Sequence, residues 1–482
     1  MPPAETPVPV KRPAFFLSVG ALVSARVFLA LSQVLVLPIV ARQLSVADFA
    51  LMALAMTVVV FSGVLSDAGL GRSLIRTSRA DQAEWSSVFW LLVLIGIGLA
   101  AVVVVISPFW AAFFGEPRLT LLLCAMAPIP LCQAISAAPS AEIERREAYA
   151  GIAKLQVITT VISLSLAIGL ALAGAGVWAL VAQQLALAIV RLFGILKLTQ
   201  FRPSLTFSPA LLRPHLIFAR DTIVVAVLTA IQAQWGVIAV GRVLGQIPLG
   251  LFSMSQRFSR LPQFGLAGPM SSVVYVRMSK AQQDPAKIAA IYLASLHVLA
   301  IAMFTPLAMI AVAGDSVFTL FLGANWAPVA PIFALSMPGL ALEAMALVCL
   351  SCLFRAMGRT DMLVRFTLVS GGVRILFVSI AVFSGLQAIA IGLTVWGGLM
   401  VPRGWAVAGR IVPLTIRDCL RVMICPFGVA CAFVIAQPLA ATWFDVGLWG
   451  DAGLAIFAGF AGIGLTALLD LRRLRGSLKV FR

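Results

Sequence analysis

Apolar runs of the length of a membrane-spanning helix recur along almost the whole 482-residue chain, separated by short polar or charged segments. A helix that crosses a bilayer needs about 20 mainly apolar residues. By that rule the pattern predicts spans near residues 14–41, 49–67, 88–113, 119–139, 155–173, 178–198, 221–244, 250–276, 288–312, 329–353, 366–384, 388–409, 422–441 and 452–470. The sequence therefore predicts an all-α polytopic membrane protein of about 14 transmembrane helices.

The composition agrees with this pattern. Hydrophobic residues make up 61% of the chain, charged residues 11%, and the mean hydropathy is +1.06. Soluble globular proteins carry roughly 25% charged residues, so most of this surface must face lipid rather than water. The first apolar run follows Lys11 and Arg12, as a signal peptide would, but it continues to Ala41. That is far longer than the roughly 7–15 apolar residues of a signal peptide, so we expect an uncleaved first helix.

The net charge of +17 would suit a nucleic acid or an anionic surface, and the positions of the cations decide between these interpretations. With the N-terminus inside, 28 of the 35 Lys and Arg residues fall in, or at the span ends beside, segments predicted to be cytoplasmic, and three fall in or beside outer segments. Cytoplasmic loops of membrane proteins are enriched in Lys and Arg. The sequence therefore predicts a multi-pass protein of the bacterial inner membrane with both termini in the cytoplasm, and no nucleic-acid partner.

Short segments repeat at an interval of about 200 residues. The outer turn 41–45 (ARQLS) matches 241–245 (GRVLG), and each leads into the next span. In other outer turns, 113–115 (FFG) matches 321–323 (FLG). These matches predict two pseudo-symmetric six-helix bundles, and parallel repeats of this kind place a transporter's substrate cavity between them. The predicted organisation is a cytoplasmic tail (1–13), the first bundle (14–198), a cytoplasmic linker (199–220), the second bundle with its following loop (221–421), helices 13 and 14 (422–470) and a basic tail (471–482).

Several short motifs carry a resemblance to a known family. They are ARQLSVADFA at 41–50, SDAGLG at 66–71, GRVLG at 241–245, NWAP at 325–328 and FRAMGR at 354–359. In this order the sequence resembles the Wzx-like oligosaccharide flippases of polysaccharide export. Their superfamily also contains multidrug antiporters and the lipid II flippase. The resemblance covers nearly the whole chain, although Gly236 stands where that family usually carries an acidic residue.

This resemblance implies a substrate and a process. The substrate would be a polyprenyl-diphosphate-linked oligosaccharide repeat unit, moved from the cytoplasmic to the periplasmic face by alternating access. The product would be an exopolysaccharide, a capsule or an O-antigen. The implied partners are the lipid-linked oligosaccharide, the lipid bilayer, and a polysaccharide polymerase with its chain-length machinery. The resemblance implies no cofactor and no metal.

Arginines inside predicted spans are the strongest local indication of a functional site. Arg26 lies near the middle of the first span, and Arg257 and Arg260 share one face of the eighth because they are three residues apart. A mid-membrane arginine costs about 2.5–3.5 kcal/mol on insertion scales, so a hydrated cavity is expected around these residues. The planar guanidinium suits bidentate phosphate binding. These arginines are candidates for holding the diphosphate; the alternative is a structural role, such as pairing with Glu343.

Two further pairs of residues attract functional hypotheses. Glu343 is the one acid well inside a predicted span, where an ionisable residue is a functional candidate by default. It is a candidate for carrying a coupling proton or for an ion pair with an arginine such as Arg374. At the inner end of the second span, Asp67 and Arg72 are candidates for a cytoplasmic gate or for an ordinary surface ion pair.

Other functions remain as alternatives. A multidrug antiporter or a lipid II-type flippase would share the fold, but a pump for cations would favour buried acids over buried arginines. A membrane polysaccharide polymerase or ligase would need catalytic groups in an outer loop, and the largest such loop, about 313–328, offers only Asp315. Cys349 and Cys352 have a metal-binding spacing but no second pair of ligands in the sequence. We therefore expect a protein that is not an enzyme.

Overall fold

The computed structural model describes residues 28–29, 32, 35–67, 69–76, 81–262, 266–443 and 447–480. Within these ranges nearly every segment is helical and no strand is present. The helices are α1 (described over 35–43), α2 (Val46–Asp67), α3 (Leu70–Arg76), α4 (Gln82–Phe114), α5 (Arg118–Met126), α6 (Pro128–Arg145), α7 (Tyr149–Leu172), α8 (Val177–Leu198), α9 (Pro209–Val243), α10 (Gln246–Pro262), α11 (Gly268–Lys280), α12 (Pro285–Val312), α13 (Gly314–Leu322), α14 (Val329–Leu342), α15 (Val348–Ala356), α16 (Thr360–Ala381), α17 (Leu386–Ala408), α18 (Ile416–Trp443), α19 (Leu448–Leu469) and α20 (Leu471–Val480).

The prediction of an all-α polytopic membrane protein is confirmed. In the described part of the chain, 12 helices are long and apolar enough to cross a membrane. Helices satisfy their backbone hydrogen bonds internally, which is what a chain in lipid requires. The count of about 14 remains approximate, because most of the first predicted span, 14–41, lies outside the described residues. The eighth, 250–276, corresponds to α10 and α11, which are not among the 12.

The helix of the seventh predicted span begins earlier than expected. Hydropathy places this span at 221–244, whereas α9 begins at Pro209, inside the predicted linker 199–220. Its apolar stretch is Ala226–Val243, so the first part of the helix extends beyond the membrane-crossing length. Hydropathy locates only the apolar part of a helix, and a proline in the first turn suits a helix start.

A hydrogen-bonded cap explains part of the first sequence motif. The Asp48 carboxylate accepts a hydrogen bond from the Ser45 N–H at 3.0 Å and from its hydroxyl at 2.8 Å. In return, the Asp48 N–H donates to the Ser45 hydroxyl at 3.2 Å. This reciprocal arrangement is a capping box, which satisfies free N–H groups at the start of α2.

The chain packs as two units. The first comprises Met1–Val36 and Val58–Val227, and the second comprises Leu37–Thr57 and Leu228–Arg482. In the first unit, α4 and α6 approach so closely that a Cβ on Gly96 would lie 2.8 Å from the Ala134 Cβ. In the second unit, α12 is the most buried of the candidate spans, and α18 and α19 pack against it.

The segment Leu37–Thr57 packs in the second unit through specific contacts. The indole N–H of Trp326 donates to the Ala41 carbonyl at 3.0 Å. The Phe49 ring meets the Trp326 ring edge-on, with centroids 5.0 Å apart. On α10, a Cβ on Gly250 would lie 2.3 Å from the Val46 carbonyl oxygen, so a glycine is needed for this approach. Motifs far apart in the sequence therefore meet in one packed cluster.

Candidate functional site

An ion pair between two membrane-spanning segments lies at the centre of the candidate site. Nη1 of Arg374, on α16, donates to both carboxylate oxygens of Glu343, at 3.2 and 3.3 Å. The Arg374 side chain is 19% exposed and the Glu343 side chain 21%, so both are open to a space rather than sealed in the core. Glu343 begins a π-helical turn, Glu343–Leu347, between α14 and α15. Such turns are rare and often occur at functional sites.

An aromatic ring holds the arginine from another side. The central guanidinium carbon of Arg374 lies 5.0 Å from the ring centroid of Trp396, on α17. The Trp396 indole N–H donates to the Ser370 carbonyl at 2.8 Å, which fixes the ring against α16. A cation over an indole face is attracted by the ring quadrupole. Arg374 is therefore held by a carboxylate and a ring at the same time.

These groups line a cavity of about 160 Å³ within the second unit. The Gln232 side chain, on α9, donates to the Thr367 carbonyl at 3.3 Å. It lies so near α16 that a Cβ on Gly371 would be 1.8 Å from its amide carbon, and only glycine leaves room for it. The lining residues are Gln232, Glu343, Leu347, Leu350, Ser351, Phe354, Leu363, Phe366, Thr367, Ser370, Gly371, Arg374 and Trp396.

A second arginine lies near the Glu343–Arg374 pair. Arg260, on α10, is half-buried and lies within electrostatic range of both Arg374 and Glu343. Its charge is repelled by the first and attracted by the second. Glu343 is the one acid that lines the cavity among the described residues. The cluster therefore contains two guanidinium groups and one carboxylate, which leaves one positive charge uncompensated by these groups.

Helix α10 is polar for a segment within a membrane protein. Its described residues include the buried Ser255, Gln256 and Ser259. Arg257 is exposed, one turn before Arg260. Arg26, the remaining predicted diphosphate ligand, lies outside the described residues. The structure thus places Arg260 within electrostatic range of Glu343, in line with the structural alternative considered for these arginines. The roles assigned to Arg26, Arg257 and Arg260 in binding diphosphate stay predictions.

Asp67, one of the two residues of the candidate gate, has a local hydrogen-bond partner at the C-terminal end of α2. Asp67 accepts a hydrogen bond from the Gly71 N–H at 3.2 Å. Gly69 between them has a φ of 75°, a left-handed conformation that glycine adopts at little cost. The described residues Asp67, Gly69 and Gly71 of this motif thus lie where α2 ends and α3 begins. The Arg72 side chain lies outside the described part of the structure, so the gate stays a prediction.

Two buried histidines have partners that lie far away in the sequence. His215 bonds through Nδ1 to the Ser73 hydroxyl at 2.6 Å and through Nε2 to the Glu84 carboxylate at 2.7 Å. His297 lies between Ser477 and Asp470, at 3.2 and 3.1 Å. No group of three or more metal-ligating side chains occurs in the described ranges.

The set Ser73, His215 and Glu84 contains the residue types of a hydrolase triad, which sequence spacing did not reveal. However, Ser73 is only 6% exposed, and its hydroxyl also donates to the Leu70 carbonyl at 2.6 Å. Its contact with the histidine is through Nδ1. A buried hydroxyl with two partners is poorly placed to attack a substrate. The set joins α3, α4 and α9 within the first unit.

Comparison with solved structures shows which known proteins share this fold. The fold is similar to the lipid II flippase MurJ in an inward closed conformation, with a TM-score of 0.75 over 96% of this chain and 99% of that one, at 14% identity. It is also similar to an inward-facing multidrug resistance MATE family transporter of the MOP superfamily, with a TM-score of 0.62 over 80% and 97% of the chains, at 16% identity. The chain thus has the fold of MOP superfamily transporters.

Sequence comparison narrows the class to a family. Residues 39–331 match the polysaccharide biosynthesis protein family, and this chain belongs to it. ExoT, a succinoglycan biosynthesis transport protein of Rhizobium meliloti, is 26% identical over 62% of this chain. The match spans 60% of the length of ExoT. WzxC, a lipopolysaccharide biosynthesis protein of Escherichia coli, is 25% identical over 75% of this chain and 73% of its own. The predicted resemblance is confirmed.

Proposed function

We propose that this protein is a flippase that moves a polyprenyl-diphosphate-linked oligosaccharide from the cytoplasmic to the periplasmic face of the inner membrane. The observation that carries the proposal is the cluster of Arg260, Glu343 and Arg374, which has an excess positive charge among membrane helices. A low-dielectric setting makes uncompensated charge costly, so an anionic ligand is the natural partner. Membership of a polysaccharide biosynthesis family and a transporter fold support the proposed flippase function.

In this proposal the protein binds and moves its substrate without breaking a covalent bond in it. Arg26, Arg257 and Arg260 hold the diphosphate, because guanidinium groups can donate two parallel hydrogen bonds to phosphate oxygens. The polyprenyl tail stays in lipid while the head group crosses through a hydrated path by alternating access. The same family relationship supports export for an exopolysaccharide, a capsule or an O-antigen, with a polymerase and chain-length machinery as partners.

The proposed orientation places both termini in the cytoplasm, which follows from the distribution of 28 inner and three outer cations. Reporter fusions test it. A reporter fused after Lys287 should give a cytoplasmic signal, and a reporter fused after Gly245 should give a periplasmic signal. A cytoplasmic signal at Gly245 would show that the assigned orientation of the second unit is wrong.

Transport in vesicles tests the function. Purified protein reconstituted into liposomes should move a lipid-linked oligosaccharide between leaflets, and the Arg257→Ala/Arg260→Ala variant should not. The exposed Arg118, at the start of α5, provides a matched control, and Arg118→Ala should transport normally. Lipid II and an organic cation are the alternative substrates in the same assay. Transport of the organic cation alone would indicate a drug antiporter, and a covalently altered substrate would indicate an enzyme.

A further inference from the structure

We propose that Glu343 is a resident counter-ion in an anion site of the second unit, and that an anionic group of the substrate displaces it from Arg374. The site would bind a phosphate or a carboxylate, the groups that charged lipid-linked saccharides carry. This inference rests on the proposed function and deepens it, because it assigns Arg374 to the substrate path and gives the ion pair two alternative states.

The charges favour an exchangeable anion. Arg374 and Arg260 both act on Glu343, and no second acid among the described residues lines this cavity. One carboxylate cannot neutralise two guanidinium groups. An incoming anion would remove the excess charge, whereas a cation would increase it. The site is therefore selective for negative groups on electrostatic grounds.

The hydrogen bonds leave capacity for a second anion. Both bonds to Glu343 come from Nη1, at 3.2 and 3.3 Å, which is longer than the roughly 2.7–2.9 Å of a strong charge-assisted bond. Nε and Nη2 of Arg374 donate no hydrogen bond to the residues that the structure describes. A guanidinium has five N–H donors, so most of the recognition capacity of Arg374 remains available.

Arg374 is held in place by more contacts than its partner Glu343. Arg374 is held by the Trp396 ring as well as by the carboxylate. Glu343 has Arg374 as its one recorded ion-pair and hydrogen-bond partner within the described ranges, and it begins a π-helical turn. When an anion arrives, the arginine would stay on the ring and the carboxylate would move away. Glu343 is therefore the displaceable member of the pair.

The cavity has the size for such an exchange. Its volume of about 160 Å³ corresponds to several water molecules, at about 30 Å³ each in the liquid. A phosphate or carboxylate group with some of its hydration would fit. Gln232 also lines this cavity, and its side chain occupies the space that Gly371 leaves free. Its amide group, already bonded to the Thr367 carbonyl, gives this wall a polar character.

Binding to full-length protein in nanodiscs tests the exchange. The probes are farnesyl diphosphate for the phosphate source, D-glucuronate for the carboxylate source and D-glucose as the neutral reference, each titrated by calorimetry. Glu343→Gln removes the competing charge at constant shape, so it should bind one anionic probe about tenfold more tightly. Arg374→Gln should bind that probe about tenfold more weakly. The probe that responds identifies the source of the anion.

A matched control separates this effect from the loss of any acid paired with arginine. Asp361 pairs with Arg359 at 3.2 Å on the surface of the same unit, and Asp361→Asn should leave all three affinities unchanged. If Glu343→Gln does not fold, Glu343→Asp replaces it. This variant keeps the charge but withdraws it from Arg374, and a smaller gain in affinity is expected.

The outcomes that overturn the inference are distinct from failure of the proposed function. If Glu343→Gln lowers the melting temperature without tightening either anionic probe, the pair is structural and the inference fails. The same conclusion follows if the exchanged variant Glu343→Arg/Arg374→Glu transports at the wild-type rate, because a restored pair then suffices. In both cases the wild-type protein still flips its substrate; failure of wild-type transport would instead refute the proposed function.

Discussion

The polar cluster around His215 in the first unit and the Glu343–Arg374 cluster in the second differ in how completely their groups are paired. In the first unit, both ring nitrogens of His215 have partners at 2.6 and 2.7 Å, and the side chain is only 3% exposed. In the second unit, Arg374 and Glu343 are about one-fifth exposed, and Arg374 uses one of its three nitrogens in their bonds.

The difference separates structural polarity from functional polarity. A buried network in which every group has a partner holds helices in one arrangement, and changing it costs stability. A cluster with excess charge, free donors and an adjoining cavity costs stability unless a ligand uses it. We therefore propose that the His215 cluster serves packing and that the Glu343–Arg374 cluster serves substrate handling. Variants of the Glu343–Arg374 cluster should lower transport with little effect on stability. Variants of the His215 cluster should lower stability with little effect on transport.

The largest effect on transport is expected from Arg374→Gln. Loss of a charge-assisted contact of about 1.5–3 kcal/mol corresponds to a loss of roughly 10- to 100-fold in transport. The amount of folded protein in the membrane should change little, because the variant removes charge from a partly open cavity. Initial transport rate, normalised to the monodisperse protein recovered, measures this effect. Transport at the wild-type rate would remove Arg374 from the substrate path.

The largest effect on stability is expected from His215→Ala. It leaves the Glu84 carboxylate and the Ser73 hydroxyl short of a buried partner, which costs about 1–3 kcal/mol. The melting temperature and the yield should fall, while transport per folded molecule should remain near the wild-type value. Scanning fluorimetry together with the vesicle assay tests this prediction. A variant of normal stability that no longer transports would show that the histidine cluster has a functional role.

A smaller effect is expected from Gly371→Ala, which changes the shape of the cavity and leaves its charges intact. The added Cβ would lie 1.8 Å from the Gln232 amide carbon, so that side chain must move. Transport should fall several-fold, at about the level of a cavity contact of 1 kcal/mol. Gly372 is the matched control, because a Cβ there meets nothing within 4 Å. Gly372→Ala should transport normally and be slightly more stable, since alanine favours the helix.

The fold could largely be predicted from the sequence because lipid imposes simple rules. Apolar runs of sufficient length become helices, and 12 of the predicted spans correspond to the 12 helices in the described part of the chain that are long and apolar enough to cross a membrane. The limits of hydropathy are visible where helices extend past the membrane, as at α9, and where a segment is polar, as at α10.

The candidate site could be predicted only in part. Residue type identified Glu343 and the arginines, because ionisable groups are rare in membrane helices. Which arginine meets the acid depends on how helices pack, and no periodicity encodes that. The partners of His215 are 131 and 142 residues away in the chain, so spacing could not reveal them. The contact of Trp396 with Arg374 could not be predicted either, since one tryptophan in an apolar span does not indicate what its ring will meet.

The division of roles between the two clusters is tested most directly by measuring, in one vesicle assay, the initial rate of lipid-linked oligosaccharide transport per folded molecule for the wild type, Arg374→Gln and His215→Ala. It predicts a rate near the wild-type value for His215→Ala and at least about a tenfold loss for Arg374→Gln. The opposite ranking, with Arg374→Gln active and His215→Ala inactive at equal amounts of folded protein, would contradict it.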